Sequence, residues 1–403
     1  MASTPSAKSA ATAPVLGWRA RFETELADLD AQSLRRRIVT PSSGQGRHIE
    51  LDGESLVNFT SNNYLGLSTD PRVIAGAVEA TERYGASVSA ARLLCGSTPL
   101  HDELEQRLAA LKDQEACLLY GAGFLANLGV LSTLVGEGDV IISDELNHAS
   151  IIDGCRISRA GSAIYRHCDL DDLERVLAET EAQHRLIVTE TVFSMDGDIA
   201  PLPALLELAE RYDAAVVIDE AHATGVLGRG GAGALSHFGI DPSDLRVPLV
   251  VVGTISKALG SSGGFVAADE VIISYLINRS RSFIFSTALP PSAVGAALAA
   301  LDVIAEEPDR QAHVQALAVQ LRAGLEAAGY STAPSETQIV PMMLGEAEVA
   351  LDMEKRLRAG GVLARAIRPP TVPPGSSRLR FNLSAAHQPE DVQQALDVVR
   401  AIT

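Results

Sequence analysis

The chain has 403 residues, 46% of them hydrophobic and 21% charged, and a formal net charge of −18. This is a globular composition, long enough for a sizeable core in two or three domains. The acidic balance excludes a broad nucleic-acid or anionic-membrane surface, which needs a basic face, but not a local pocket for a small anion.

The first residues, "MASTPSAKSAATAP", lack the apolar core of a secretory signal and read as a disordered tail over 1–15. No apolar run reaches the roughly 18 residues of a membrane span. The four cysteines, Cys95, Cys117, Cys155 and Cys168, form no CxxC pair. They read as buried free thiols of a cytoplasmic protein rather than as disulfides or a metal site.

Residues 16–60 hold an amphipathic stretch, "GWRARFETELADLDAQSLRRR", expected to be a helix over 17–37 that ends in the basic cluster Arg35–Arg37. Short strands and a turn follow in "GRHIELDGESLVNFTSNNYLG". Over 61–294 the pattern alternates. Helical stretches such as "PRVIAGAVEATERYG", "LHDELEQRLAALKD" and "PLPALLELAERY" are interleaved with the apolar runs "ACLLYG", "DVIISD", "RLIVTET", "AAVVIDE" and "VPLVVVG". Short β-branched runs spaced by helices indicate an α/β fold, a mostly parallel sheet with helices on both faces. Residues 295–403 mix helices with "QIVPMMLG" and "SRLRFNLS", which points to a smaller α+β domain at the C-terminus. The segment "GRGGAG" at 228–233 matches GxGxxG, but it does not run from a strand directly into a helix. It reads as a flexible loop rather than a dinucleotide site.

Polar residues recur where the apolar runs end. "VVIDEAHATG" gives Asp219 and His222, "LIVTETVFSMDGD" gives Ser194, and "VIISDELNHAS" gives Asn147 and His148. "LLYGAGFLANLG" passes through Gly121 and Gly123 into a helix start, and "VVVGTISKALG" gives Thr254, Ser256 and Lys257. Taken singly, these residue types are most often caps, turns or solvated loop positions. Together they stand at equivalent topological positions, and in parallel sheets ligands bind beyond the carboxyl ends of the strands. The set matches the needs of pyridoxal phosphate: a lysine amine for the aldehyde, a carboxylate for the pyridine nitrogen, a ring to stack on, and helix-start N–H groups for the phosphate. Lys257, Asp219, His148 and the Gly121–Phe124 turn supply these types.

The ordered motifs "NFTSNNYLGLS", "DELNHASIIDG", "TETVFSMDGD", "IDEAHATGVLG", "GTISKALGSSGG" and "FIFSTALPP" resemble the α-oxoamine synthases, a branch of the fold type I pyridoxal-phosphate enzymes. The resemblance runs from about residue 20 to the end. It implies a fold type I transferase with a seven-stranded large domain and a smaller C-terminal domain. It also implies pyridoxal 5'-phosphate as cofactor and a homodimer with shared active sites. Carried over by residue, it makes Lys257 the covalent anchor and proton carrier, Asp219 the partner of the ring nitrogen, and His148 the stacking ring. Ser194 and His222 would meet the phenolic oxygen. Gly123, Phe124 and Thr254 would surround the phosphate, with Ser286 or Thr287 reaching that of the neighbouring subunit. Asn62 and Arg380 would hold the amino-acid carboxylate, Arg368 would line the substrate cleft, and Arg35 would meet the acyl-carrier end. Alternation in "RLRFNLS" puts Arg378 and Arg380 on one face, and either could point inward.

Within the family, "AIRPPTVPPGSSRLRFNLSAAH" is most similar to the members that condense L-alanine with a pimeloyl thioester, of coenzyme A or of an acyl carrier protein. "YGASVSAARLLCGSTPLH" resembles equally the members that use glycine and acetyl-CoA, so amino acid and acyl chain stay open. A non-catalytic subunit is the remaining alternative, and the lysine argues against it.

Overall fold

The computed structural model describes residues 17–402. The tail expected over 1–15 lies outside them. The first helix spans Trp18–Ala31 and stops short of the basic cluster. Ser33 takes a left-handed φ of 57°. Its N–H donates to the Asp30 carbonyl (3.1 Å) and that of Leu34 to Leu29 (2.8 Å). This pair of bonds closes a helix in the Schellman manner. Glycine usually holds that position, so the serine hid the stop.

A hairpin follows, β1 (His48–Leu51) with β2 (Glu54–Asn58). The central sheet comprises β3 (Ala116–Tyr120), β4 (Val140–Asp144), β5 (Gly161–Tyr165), β6 (Arg185–Glu190), β7 (Ala214–Asp219), β8 (Leu249–Thr254) and β9 (Gly264–Ala268). Its order is β3-β9-β8-β7-β6-β4-β5. Only β9 runs against its neighbours. This is the mostly parallel seven-stranded sheet the family resemblance implied.

Alternation within the strands feeds two cores. Val216 and Ile218 join the cluster on one face, with Leu249 and Val251. Val217, Val250 and Val252 join the cluster on the other, together with Ala126, Val130 and Leu131 of the helix Gly123–Leu134. A sheet buried on both faces needs near-continuous apolar strands, and every residue of β8 is buried. β5 and β9 escaped the sequence pattern for opposite reasons. β5 is an edge strand with exposed positions, and β9 follows directly on the glycines after Lys257.

The chain turns back on itself at β4 and β6, since β4 leads outward to β5 whereas β6 leads on to β7 and β8. A crevice opens at such a reversal, at the carboxyl ends of the strands.

The remaining strands are β10 (Ile339–Gly345), β11 (Val362–Leu363), β12 (Arg365–Ile367) and β13 (Ser377–Asn382). β10, β13 and β12 form an antiparallel sheet, while β11 pairs with β2. The N-terminal hairpin thus shares a sheet with the C-terminal part of the chain.

The 228–233 segment is not the flexible loop its glycines suggested. Buried Lys112 donates to Glu220 and to the Ala232 carbonyl (2.7 Å), and Glu220 accepts from the Ala234 N–H (2.6 Å). A Cβ on Gly233 would run into that carboxylate. The segment is a packed turn locked to a buried ion pair. The cysteine expectation holds for Cys117 and Cys155 alone, since Cys95 is exposed and Cys168 partly so.

Candidate active site

The crevice at the strand ends is a cavity of about 220 Å³. Its walls include Gly123, Phe124, Asn127, His148, Glu190, Asp219, His222, Thr254 and Lys257. They arrive from the ends of five strands, β3, β4, β6, β7 and β8, which is how residues far apart in the chain meet.

Lys257 stands in the turn after β8, with Nζ 2.7 Å from His222 Nε2. Burial pushes its amine down to about 8, and Arg380 pushes it the same way, while Asp219 and Glu190 pull it back. The imidazole of His222 is itself driven well below its ordinary value, by burial first and then by Lys257 and Arg380. A neutral ring can therefore lend one nitrogen to Lys257 while the other, Nδ1, meets the Tyr64 hydroxyl at 2.6 Å.

Asp219 is buried at the end of β7. Its Oδ1 accepts from the Ala221 N–H (2.8 Å) and its Oδ2 from Asn127 Nδ2 (2.6 Å). The same Asn127 amide donates to Ser150 Oγ (2.9 Å), which lies 2.8 Å from His148 Nδ1. That nitrogen also accepts from the Ser150 backbone N–H. The ring is thereby fixed, with Nε2 left for the cleft. The protein behind His148 lowers its basicity by burial, and Lys257 adds to this against Asp219.

The helix Gly123–Leu134 starts at the crevice with no side-chain cap. The first N–H groups of a helix have no partner within it, and with the dipole they form a ready anion seat. A Cβ on Gly264 would lie 2.5 Å from the Gly123 nitrogen, so only glycine there lets β9 pass so close. Thr254 flanks the seat, its hydroxyl 2.7 Å from that of Ser256.

Beyond His222 and Tyr64, β13 resolves the choice of arginine. Arg378 is buried and bound to Asp196. Arg380 Nη2 donates to Asn62 Oδ1 (2.9 Å) and to Tyr64 Oη (3.2 Å). Its Nε is buried with no partner. An unsatisfied guanidinium N–H is costly unless a ligand meets it, and a carboxylate fits that fork. Tyr64 thus links Arg380 to His222 and Lys257, a role its place in "SNNYLG" did not disclose.

Other expected residues stand off the cleft walls. Ser194 is buried in the turn after β6. Ser286 and Thr287 line a small hollow with Arg92, His101 and Gly121. Arg368 donates to the Ser33 carbonyl, and Arg35 pairs with Asp30 at 2.5 Å. Both hold the chain after the first helix.

Behind the cleft, Asp144, His167 and Cys168 bring ligand-type atoms within 4.8 Å of one another. Burial disfavours charge on His167, but hydrogen bonds to Asp144 (3.0 Å) and Asp198 (2.9 Å) outweigh it and push the imidazole up to about 12. Charged, with both N–H groups engaged, it has no lone pair to offer a metal. It acts instead as a cationic bridge between the end of β4 and the 193–198 turn.

This fold is that of the fold type I pyridoxal-phosphate transferases. The family model for aminotransferase class I and II matches residues 54–399. A relative from Anaeromyxobacter dehalogenans (strain 2CP-1), 8-amino-7-oxononanoate synthase, is 50% identical over 94% of each chain. Among solved structures, one of SPT with a PLP internal aldimine superposes with a TM-score of 0.89 at 32% identity, covering 94% of this chain and 96% of that one. The 8-amino-7-oxononanoate synthase of Francisella tularensis gives a TM-score of 0.73 at 29% identity, covering 86% and 97%. The chain belongs to the class I and II aminotransferase family, in its α-oxoamine synthase branch.

Proposed function

We propose that the protein is a pyridoxal-phosphate-dependent acyltransferase that condenses L-alanine with a pimeloyl thioester. The products are 8-amino-7-oxononanoate, CO2 and the free thiol carrier. The observation that carries the chemistry is the convergence of Lys257, Asp219 and His148 on one cleft, facing an arginine with an unpaired N–H. The choice of substrates leans on the half-identical relative named for that product.

The residues present fit the cofactor. The uncapped helix start at Gly123 and Phe124, with Thr254, would hold the phosphate. Asp219 would hold the ring nitrogen, and His148 would cover the ring. When bound, the cofactor supplies an electron-withdrawing ring that stabilises negative charge at the amino acid's Cα. Arg380 and Asn62 would hold the substrate carboxylate and so fix which Cα bond faces the reaction. Lys257, its amine pushed down to about 8 by burial, takes and returns the Cα proton, and His222 keeps its lone pair directed into the cleft. Burial of these groups keeps water from competing for the charge.

Incubation with pimeloyl-CoA and alanine should give the aminoketone by mass spectrometry. Preferential turnover of glycine with acetyl-CoA, or of serine with a long-chain acyl-CoA, would replace the substrate assignment. Arg380→Lys should raise the KM for the amino acid about 10–100-fold, the equivalent of losing a charge-assisted bond of about 1.5–3 kcal/mol. An unchanged KM would remove Arg380 from the carboxylate site.

We further propose a cytoplasmic homodimer. Exposed Leu94 and Phe285 are consistent with a covered face near Ser286 and Thr287, which would then reach the partner's phosphate.

A further inference from the structure

We propose that Glu190 is a second, proton-carrying carboxyl of the cofactor cleft, un-ionised in the working enzyme, so that Asp219 alone supplies the negative charge at that end and Lys257 can shed its proton. The inference rests on reading the cleft as a cofactor site, but not on which substrates are condensed.

Register makes the argument first. Glu190 ends β6 directly opposite Asp219 at the end of β7. Neighbouring residues in register point to the same face of a sheet, and their strands lie about 4.8 Å apart. Residues 186 and 188 of β6, and 217 of β7, feed the core beneath the helix Gly123–Leu134, so Glu190 and Asp219 both turn toward that helix. Glu190 lines the cavity yet is only 2% exposed. Its main-chain N–H is pinned by Asn147 Oδ1 (3.0 Å), and Asn147 is held in turn by the Val188 carbonyl and Ser143.

Hydrogen bonding makes the second argument. Asp219 has donors for both oxygens. Glu190 Oε1 is buried and has none. The carboxyl's one donor is the His148 N–H, and an ionised carboxylate with a bare buried oxygen is expensive in such a place, whereas a carboxylic acid can present its own O–H to the cleft.

Charge is the third. The groups around Glu190 are Asp219, Asp144, Lys257, the Tyr64 hydroxyl and the rings of His148 and His222, whose basicity burial lowers. Asp144 is already matched by the His167 cation. A single cation, whether Lys257 or a protonated ring nitrogen of the cofactor, balances one carboxylate. Two buried carboxylates with one cation share a proton. In keeping with this, burial and then Asp219 push Glu190 up to about 8, against Lys257 and the His148 N–H. An ionised Glu190 would in turn hold the proton on Lys257.

The test is infrared spectroscopy of the holoenzyme. At neutral pH the difference between wild type and Glu190→Gln should show the carbonyl stretch of an un-ionised carboxyl, present only in the wild type. In the wild type alone, that band should fade between about pH 6 and about pH 10 as the group ionises. This arm does not depend on how well the variant folds. The visible absorption of the bound cofactor should titrate in two coupled steps in the wild type and in one in Glu190→Gln, with Glu190→Asp restoring two. Absence of the un-ionised band, or a titration unchanged by Glu190→Gln, would overturn the proposal.

Discussion

Replacing Lys257 by alanine is expected to lower turnover by at least about 10³-fold. The substitution removes two functions together. The amine that would hold the cofactor covalently is lost, and so is the base at the Cα proton. No neighbour can substitute. His222 Nε2 is the nearest basic atom, 2.7 Å from Nζ, but burial leaves its ring far too weak a base. Its other nitrogen is already engaged with Tyr64. The variant should fold, since the lysine makes no bond on which a strand or helix depends. Turnover is read by product mass, and attachment by the yellow colour of the purified protein. A colourless wild type that takes up no added cofactor would defeat the functional reading at its root, and full activity in the variant would remove Lys257 from the chemistry.

The strand ends were the legible part of the site. Parallel strands buried on both faces have strongly patterned sequences, so Asp219, His148, His222 and Lys257 are each marked by where an apolar run stops. Adjacency across the sheet leaves no such mark. Glu190 sits at a strand end as plainly as Asp219, but its importance appears only once register sets the two side by side. Asn127 belongs to the same class: it stands one helical turn beyond Gly123, a position whose meaning depends on a partner 92 residues away. Tyr64 joins nearby Asn62 to His222 and Arg380, each more than 150 residues away. Alternation could not choose between Arg378 and Arg380, because both share a face. Asp196 decides it by consuming Arg378. The packed turn at 228–233 depends on Lys112 from a distant helix end, and local glycine content pointed the other way. Local pattern thus reveals which residues reach the crevice, and tertiary contacts decide what each one is free to do there.

Asp219→Ala should cost far more activity than Asp144→Ala, although both are buried strand-end aspartates on neighbouring parts of one sheet. Asp219 faces the cavity and is held by Asn127 and the Ala221 N–H, with nothing cationic of the protein's own bonded to it. Lys257 is the cation nearby in the open cleft, and once that amine gives up its proton the counter-charge must come from what the cleft binds. Removing it leaves that charge unpaired in a dry site, a loss of about 3–5 kcal/mol, or roughly 10²–10⁴-fold in kcat/KM. Asp144 spends its charge on His167 and on the backbone of Leu146 and Cys168, so its loss should appear mainly as lowered thermal stability, with activity at permissive temperature falling much less. Titrating apo-protein with pyridoxal phosphate separates the two. Asp219→Ala should weaken binding or shift the absorption of the bound cofactor, and Asp144→Ala should leave that absorption in place. Equal and small effects on turnover would mean that Asp219 is not the group that holds the ring nitrogen.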